Sequence, residues 1–442
     1  MIQNKNVKTT RMKNLLLYSF ICFLGIRNSF AQQTPAPKQT NDYCIEGATA
    51  HIGNGKVINN ALIMFSEGKI TFVGSAMTKI ARKGTVIKAK NKHVYPGFIA
   101  ANTSLGLAEI DAVKATRDFD EIGAMLPHIR SIIAYNAESK IIETMRPNGV
   151  LMGQITPRGG TISGTSSIVQ FDAWNWEDAI VKQNDAIHMN WPSIFSRSRG
   201  WSFGGNHKHT PNKKYEENIQ TIKTYFEDAK RYLASNSSPK NLPFEALSGL
   251  FNQQQKLFIH AKGEKEITDA INTFTKLGIT NLVIVDGYGA EKITDLLKAN
   301  NIPVVLKRAH RLPEHEDEDY DLPFRTAKIL SDAGILVGLG MDGEMERMSA
   351  RNLPFYAGTY AAYGLDKEKA VQLITENNAK ILGIDTLVGT LEVGKNATLF
   401  ISEGDALDMS TNQLTQAFID GRNISLESHQ TKLWKRYTKK YN

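Results

Sequence analysis

The stretch KLFIHAKGEKEITDAINTFTKLGITNLVIVDG, residues 256–287, decides the fold. KLFIHA is a short apolar run of the kind that parallel strands buried on both faces require. In EKEITDAINTFTKLG the apolar residues, Ile267, Ala270 and Ile271 among them, recur instead at helical spacing. NLVIVDG is apolar again and closes on Asp286. Strand, helix and strand therefore alternate. The alternation continues through AEKITDLLKANN, PVVLKRAH, LPFRTAKILSDAG, ILVGLGMDG and DKEKAVQLITENNAKILG. Four such units in one stretch predict a parallel α/β core, either barrel or doubly wound.

Working outward, VYPGFIAAN (94–102) and GVLMGQIT (149–156) are further strand candidates. Residues 160–245 are less regular, and are expected to hold barrel helices, YEENIQTIKTYFEDAKRYLA (215–234) among them, and a long inserted loop. Residues 43–94 carry short β-type runs, with a hairpin turn at Glu67, Gly68 and Lys69. VGTLEVGKNATLFISEGD and LTQAFIDGRNI return to that β pattern near the other end. The two ends are expected to pair into one small domain, 43–94 with 386–425, around a core spanning 95–385. Residues 426–442 form a tail whose basic residues and aromatics, KLWKRYTKKYN, are read as the end of a surface helix.

The first 31 residues have the form of a secretory signal. Lys5, Lys8, Arg11 and Lys13 precede the apolar run LLLYSFICFLGI, and Ser29 and Ala31 give a small-x-small cleavage site before Gln32. The apolar run is too short to span a bilayer comfortably. Residues 32–42 are then a flexible leader, and the expected destination is a periplasm. Cleavage removes five basic and no acidic residues, so the 53 Lys and Arg become 48 against 45 Asp and Glu. That balance argues against nucleic acid as a partner, and membrane insertion of the mature chain is not expected. Cys44 would remain as a lone cysteine.

In parallel α/β folds, functional side chains collect where strands end. Here those positions hold His260, Asp286, Arg308, His310 and Asp342, with Asn102 and Ser104 after the first core strand. Imidazole and carboxylate converging at a barrel mouth suit a divalent metal that activates water. Arg158, in the Gly- and Ser-rich TPRGGTISGTSS, suits an anion-holding or substrate-contacting loop.

The ordered segments GKITFVG, VYPGFIAANTSLGL, LFIHA, GLGMDG, TENNAKILGI, GTLEVGKNATLFI and FIDGRNI resemble the amidohydrolase superfamily, its imidazolonepropionase-like branch in particular. The resemblance runs from about Tyr43 to Ile424. It implies a distorted (β/α)8 TIM-like barrel with a composite β-sandwich domain built from both chain ends. Active members place a His-x-His metal pair after the first barrel strand. Asn102 and Ser104 stand at those positions here, where they suit substrate contacts, as Arg308 and His310 do. The fifth-strand histidine is matched by His260 and the aspartate after the eighth strand by Asp342, while the sixth-strand histidine aligns with Asp286.

Two readings follow. In the first, one divalent metal (Zn, Mn or Fe) sits on His260, Asp286 and Asp342. Asp342 accepts the proton, His260 is also catalytic, and a small-molecule substrate is hydrolysed at a carbon–nitrogen bond that is not an ordinary peptide bond. In the second, the site is degenerate and metal-free, and the chain is a binding module or the partner subunit of an active relative. A homodimer is a further expectation. Asp286 and Asp342 also leave open a non-metal hydrolase working with two opposed carboxylates.

Overall fold

Strands from both ends of the chain meet in one sheet. The structure, a computed structural model, describes residues 34–196, 210–235, 238–314, 317–342 and 345–441. The expected signal sequence lies outside them, as do residues 197–209 of the expected inserted loop. From the first end come β1 (Tyr43–His51), β2 (Val57–Ser66), β3 (Lys69–Ser75), β4 (Thr85–Lys88) and β5 (His93–Pro96). The β2–β3 turn is the expected hairpin, with Glu67 at φ +50 and Gly68 at φ +78, the left-handed pair that a two-residue turn demands.

The chain crosses into the barrel at Gly97. The barrel begins with β6 (Phe98–Thr103), β7 (Val150–Ile155), β8 (Ile162–Gln170) and β9 (Ile180–Asn190). A small hairpin, β10 (Phe195–Ser196) with β11 (Thr210–Pro211), leads to helix α1 (Tyr215–Ala234). Then come β12 (Lys256–Ala261), α2 (Gly263–Leu277), β13 (Leu282–Asp286), β14 (Val304–Leu306), α3 (Leu322–Asp332) and β15 (Val337–Leu339), followed by α4 (Leu353–Ala362), α5 (Lys367–Leu373) and α6 (Glu376–Leu382). The eight barrel strands form one sheet in the order β15-β14-β13-β12-β9-β8-β7-β6. All neighbouring pairs are parallel except those of β8, which runs against both β7 and β9.

Residues 160–245, expected to hold barrel helices and a long loop, therefore hold two barrel strands as well, β8 and β9. ISGTSSIVQ is buried at every position, and its small Ser, Thr and Gly side chains fit between two tightly apposed neighbours. Helix α1 falls where the spacing predicts it. Helix α2 buries Ile267, Ala270, Ile271, Phe274 and Leu277 and stops at Gly278, whose φ of +85 suits a left-handed cap. Fully burying a side chain such as Phe274 stabilises by about 1.5–3 kcal/mol.

The ring nearly closes between β15 and β6, through a parallel bridge from Gly340 to Ala101 and a bond from the Met341 N–H to the Ala101 carbonyl (2.9 Å). Asn378 of α6 spans the seam, donating to the carbonyls of Ile99 and Leu339 at 2.8 Å each. Glycine is required there. A Cβ on Gly338 would lie 2.2 Å from Asn378 Oδ1, and one on Gly340 would lie 2.6 Å from Val305 Cγ1. The seam sets the positions of Asn102 and Asp342 on its two sides.

The chain then returns to the first sheet with β16 (Leu399–Ser402), β17 (Leu414–Ile419) and β18 (Arg422–Ile424), and β16 pairs antiparallel with β5. The strand order is β18-β17-β16-β5-β1-β2-β3, with β4 also on β1. Arg146 and Arg422 both bind the buried Asp172 carboxylate, at 2.9 and 2.8 Å, and so tie this sheet to the barrel. A last helix, α7 (His429–Thr438), follows. No helix among the described residues is long and apolar enough to cross a membrane.

Candidate functional site

Alternation along a strand sends every second side chain into the barrel. Ile99, Ala101, Phe258, Val283, Val285 and Val305 belong to one apolar layer inside the ring. One inward step further, toward the ends where strands pass into loops, stand Gln154, Ser166, His188, His260 and Lys307. This parity separates Lys307, which points in, from its neighbour Arg308.

Four of these residues form a buried chain with Asp185. Ser166 Oγ donates to Asp185 Oδ1 (2.8 Å), and Gln154 Nε2 donates to Asp185 Oδ2 (2.8 Å). His188 Nε2 lies 3.0 Å from Ser166 Oγ, and His188 Nδ1 lies 3.2 Å from His260 Nε2. With the Ser166 proton on Asp185, His188 donates from Nε2 and accepts at Nδ1 from His260. Burial raises the Asp185 carboxyl above its usual range, against the pull of Ser166 and Gln154. Burial, with His260 and the positive Arg158 nearby, holds His188 well below the ordinary imidazole value. Burial likewise pushes His260 down to about 4, with Asp342 opposing and Arg158 and Lys307 assisting. Both rings are therefore neutral near pH 7.

The other arc of the mouth is ionic. Lys307 Nζ sits between Asp286 Oδ2 (2.9 Å) and Asp342 Oδ2 (3.0 Å). Burial alone would lower this ammonium, but the two carboxylates outweigh burial and raise it. Burial alone would raise Asp342, yet Arg158 and Lys307 hold it well below the usual carboxylate range. Lys262 approaches Asp286 Oδ2 at 3.6 Å. Arg158 donates to Asn102 Oδ1 (2.8 Å), to the Asn102 carbonyl (2.9 Å) and to Glu346 Oε2 (3.0 Å). Glu346 also accepts from Thr103 Oγ1 (2.7 Å) and the Ser104 N–H (2.6 Å), and Arg347 donates to Ser104 Oγ.

Two residues carry backbone strain. Asp286 has φ +86 and Asn102 φ +50, conformations that favour glycine and, next, asparagine. Both side chains are buried with one polar atom unpartnered, Asp286 Oδ1 and Asn102 Nδ2. Beside this mouth, Phe119, Asp120, His128, Arg130 and Pro157 help to line a cleft of about 350 Å³.

The structure thus brings together six of the residues read from the sequence, namely Asn102, Ser104, Arg158, His260, Asp286 and Asp342. His310 lies apart, exposed, with Nε2 3.0 Å from Thr359 Oγ1 and its ring against Tyr356. Arg308 reaches it through its charge. Sequence reasoning missed His188, Lys307, Glu346 and the Gln154–Ser166–Asp185 group. The signal for His188 was present: it lies within the apolar run AIHM, two residues before that strand ends.

Fold and mouth together define a nearly closed eight-stranded α/β barrel with a buried polar mouth. The family model described as the amidohydrolase family matches residues 189–425, more than half of the 442, and the chain belongs to the amidohydrolase family. Solved structures agree. An amidohydrolase from Thermotoga maritima MSB8 superposes with a TM-score of 0.72 at 24% identity, covering 86% of this chain and 99% of that one. A putative prolidase from Bifidobacterium longum gives 0.54 at 14% identity, covering 91% and 100%. An adenosine deaminase from Xanthomonas campestris with bound zinc gives 0.50 at 15%, covering 91% and 98%. At these identities the likeness is one of fold. No curated protein matches the chain.

The family implies a divalent metal, and the residues at the mouth do not fit one. A catalytic zinc site takes three protein ligands and keeps an open position. Here both nitrogens of His188 and Nε2 of His260 are engaged in hydrogen bonds, Asp286 and Asp342 share an ammonium, and Asn102 Oδ1 is held by a guanidinium. Among the described residues no group of three or more His, Cys, Asp or Glu is placed to hold a metal ion.

Proposed function

We propose that this amidohydrolase-family barrel binds a small polar ligand at its mouth without metal-activated hydrolysis, as a non-catalytic relative or the partner subunit of an active amidohydrolase. The observation that carries the reading is Lys307 Nζ lying 2.9 and 3.0 Å from Asp286 and Asp342. An ammonium neutralises the carboxylates but has no open coordination position in which to acidify a water. A carboxylate held as low as Asp342 is a weak proton acceptor. Asn102 and Ser104, at the expected His-x-His positions, are spent on Arg158, Glu346 and Arg347. Asn102 Nδ2 and Asp286 Oδ1 are buried without a protein partner, as polar groups are where a bound molecule completes them.

A second reading keeps hydrolysis of a carbon–nitrogen bond other than a peptide bond, as in the imidazolonepropionase-like branch. What favours it is His260, neutral, half-buried and backed by His188, Ser166 and Asp185 as a general base would be. On either reading the sheet shared by both chain ends is the β-sandwich-like domain, and the signal sequence of residues 1–31 directs the chain to a periplasm.

Calorimetric titration of the chain from Gln32 with a panel of small amides, lactams and dipeptides, in chelator and in added zinc, tests the proposal. Binding that is indifferent to chelator, with no product formed, is expected. Turnover that chelator abolishes would overturn it.

A further inference from the structure

Helix α7 is firmly started and loosely attached. A reciprocal capping box between Ser428 and Thr431 fixes its first turn, yet none of its residues is buried. Trp434, Tyr437 and Tyr441 are 67%, 57% and 80% exposed. A step of three residues puts Trp434 and Tyr437 on one helical face, and Tyr441 follows in the turn beyond the helix end. Around them stand Lys432, Lys435, Arg436, Lys439 and Lys440, with no acidic residue from His429 onward. Glu427 pairs with Lys432 (3.8 Å) and Lys435 (3.1 Å). Arg436 and Lys440 instead lie over the rings of Tyr437 and Tyr441, at 5.7 and 5.5 Å.

We propose that α7 and the residues after it dock the protein, without spanning, onto an anionic lipid surface. Exposed Trp and Tyr have an apolar body and a polar tip, which suits the headgroup level of a bilayer. A short helix with one aromatic face and flanking cations lies in that plane, drawn by anionic headgroups. Each Lys or Arg near such a surface strengthens binding about fivefold. Single-stranded nucleic acid also stacks on aromatics, but in a positively charged groove that tracks its backbone, and a convex helix offers none.

The test is co-sedimentation of the chain from Gln32 with phosphatidylcholine vesicles, with and without phosphatidylglycerol, at low and high salt. Binding is expected to phosphatidylglycerol vesicles, to weaken in salt, and to fall about a hundredfold in Arg436→Gln/Lys439→Gln/Lys440→Gln. Trp434→Ser/Tyr437→Ser/Tyr441→Ser should also lose it. Because α7 buries nothing, both variants should melt as the parent does. The proposal is overturned if the parent binds neither vesicle, if either variant binds as the parent does, or if single-stranded DNA captures the tail while vesicles do not.

Discussion

The two halves of the barrel are built differently. From β12 to β15 the strands are parallel, helices α2 and α3 lie among their connections, and functional side chains fall at strand ends, as with Asp286, Lys307 and Asp342. From β6 to β9 one strand is reversed, and two connections are tight or short. The buried polar groups there, Gln154, Ser166 and His188, sit within strands rather than after them. The regular half holds its mouth by ion pairs; the irregular half holds His188 by neutral hydrogen bonds and joins the ionic arc through Arg158 and Glu346. Two ways of satisfying buried polarity thus meet at His260.

The largest expected effect breaks the ionic half. Lys307→Met leaves Asp286 and Asp342 without their shared cation, and should cost about 4 kcal/mol in urea unfolding. A loss below about 1 kcal/mol would mean that Lys262 or water serves as well.

Acid breaks the neutral half next. His260 has a folded pKa of about 4 against an ordinary value of about 6.5, so the folded state binds fewer protons in that window. Its contribution is complete above pH about 6.5 and is lost as pH falls through about 4, a difference of about 3 kcal/mol. Asp342, held low, loses its own contribution only below about pH 4, its unfolded value. His260→Gln should therefore make the upper limb of the stability–pH curve shallower, His188 supplying the rest of it, and leave the lower one. An unchanged upper limb would contradict the neutral assignment.

Gln154→Ala should cost about 2 kcal/mol, because it strips an acceptor from the buried Asn102 N–H (3.0 Å) and a donor from Asp185. Gly278→Ala, in the regular half, should cost about 1 kcal/mol through its φ of +85, with space for the methyl group itself. Equal losses for the two would erase the contrast between a polar network and a backbone cap.

What could be read from the sequence follows the same division. In 256–342 the strand period and the helix period alternate cleanly, so the strands and the Asp286, His260 and Asp342 positions were legible. Parity along β14 would also have chosen Lys307 over Arg308 and His310, since Val305 faces the interior. Residues 160–190 misled because ISGTSSIVQ is polar in composition yet wholly buried between β7 and β9. Glu346 meets Thr103, Ser104 and Arg158 across the ring seam, a contact between distant segments that no local period announces.

The most direct test of the central claim is the metal content of the chain from Gln32, purified without chelator, beside His260→Ala. Cations occupying the mouth predict well below one equivalent of zinc, manganese or iron in both proteins, before and after soaking. One equivalent in the parent, lost in His260→Ala, would contradict the account and restore a mononuclear metal site.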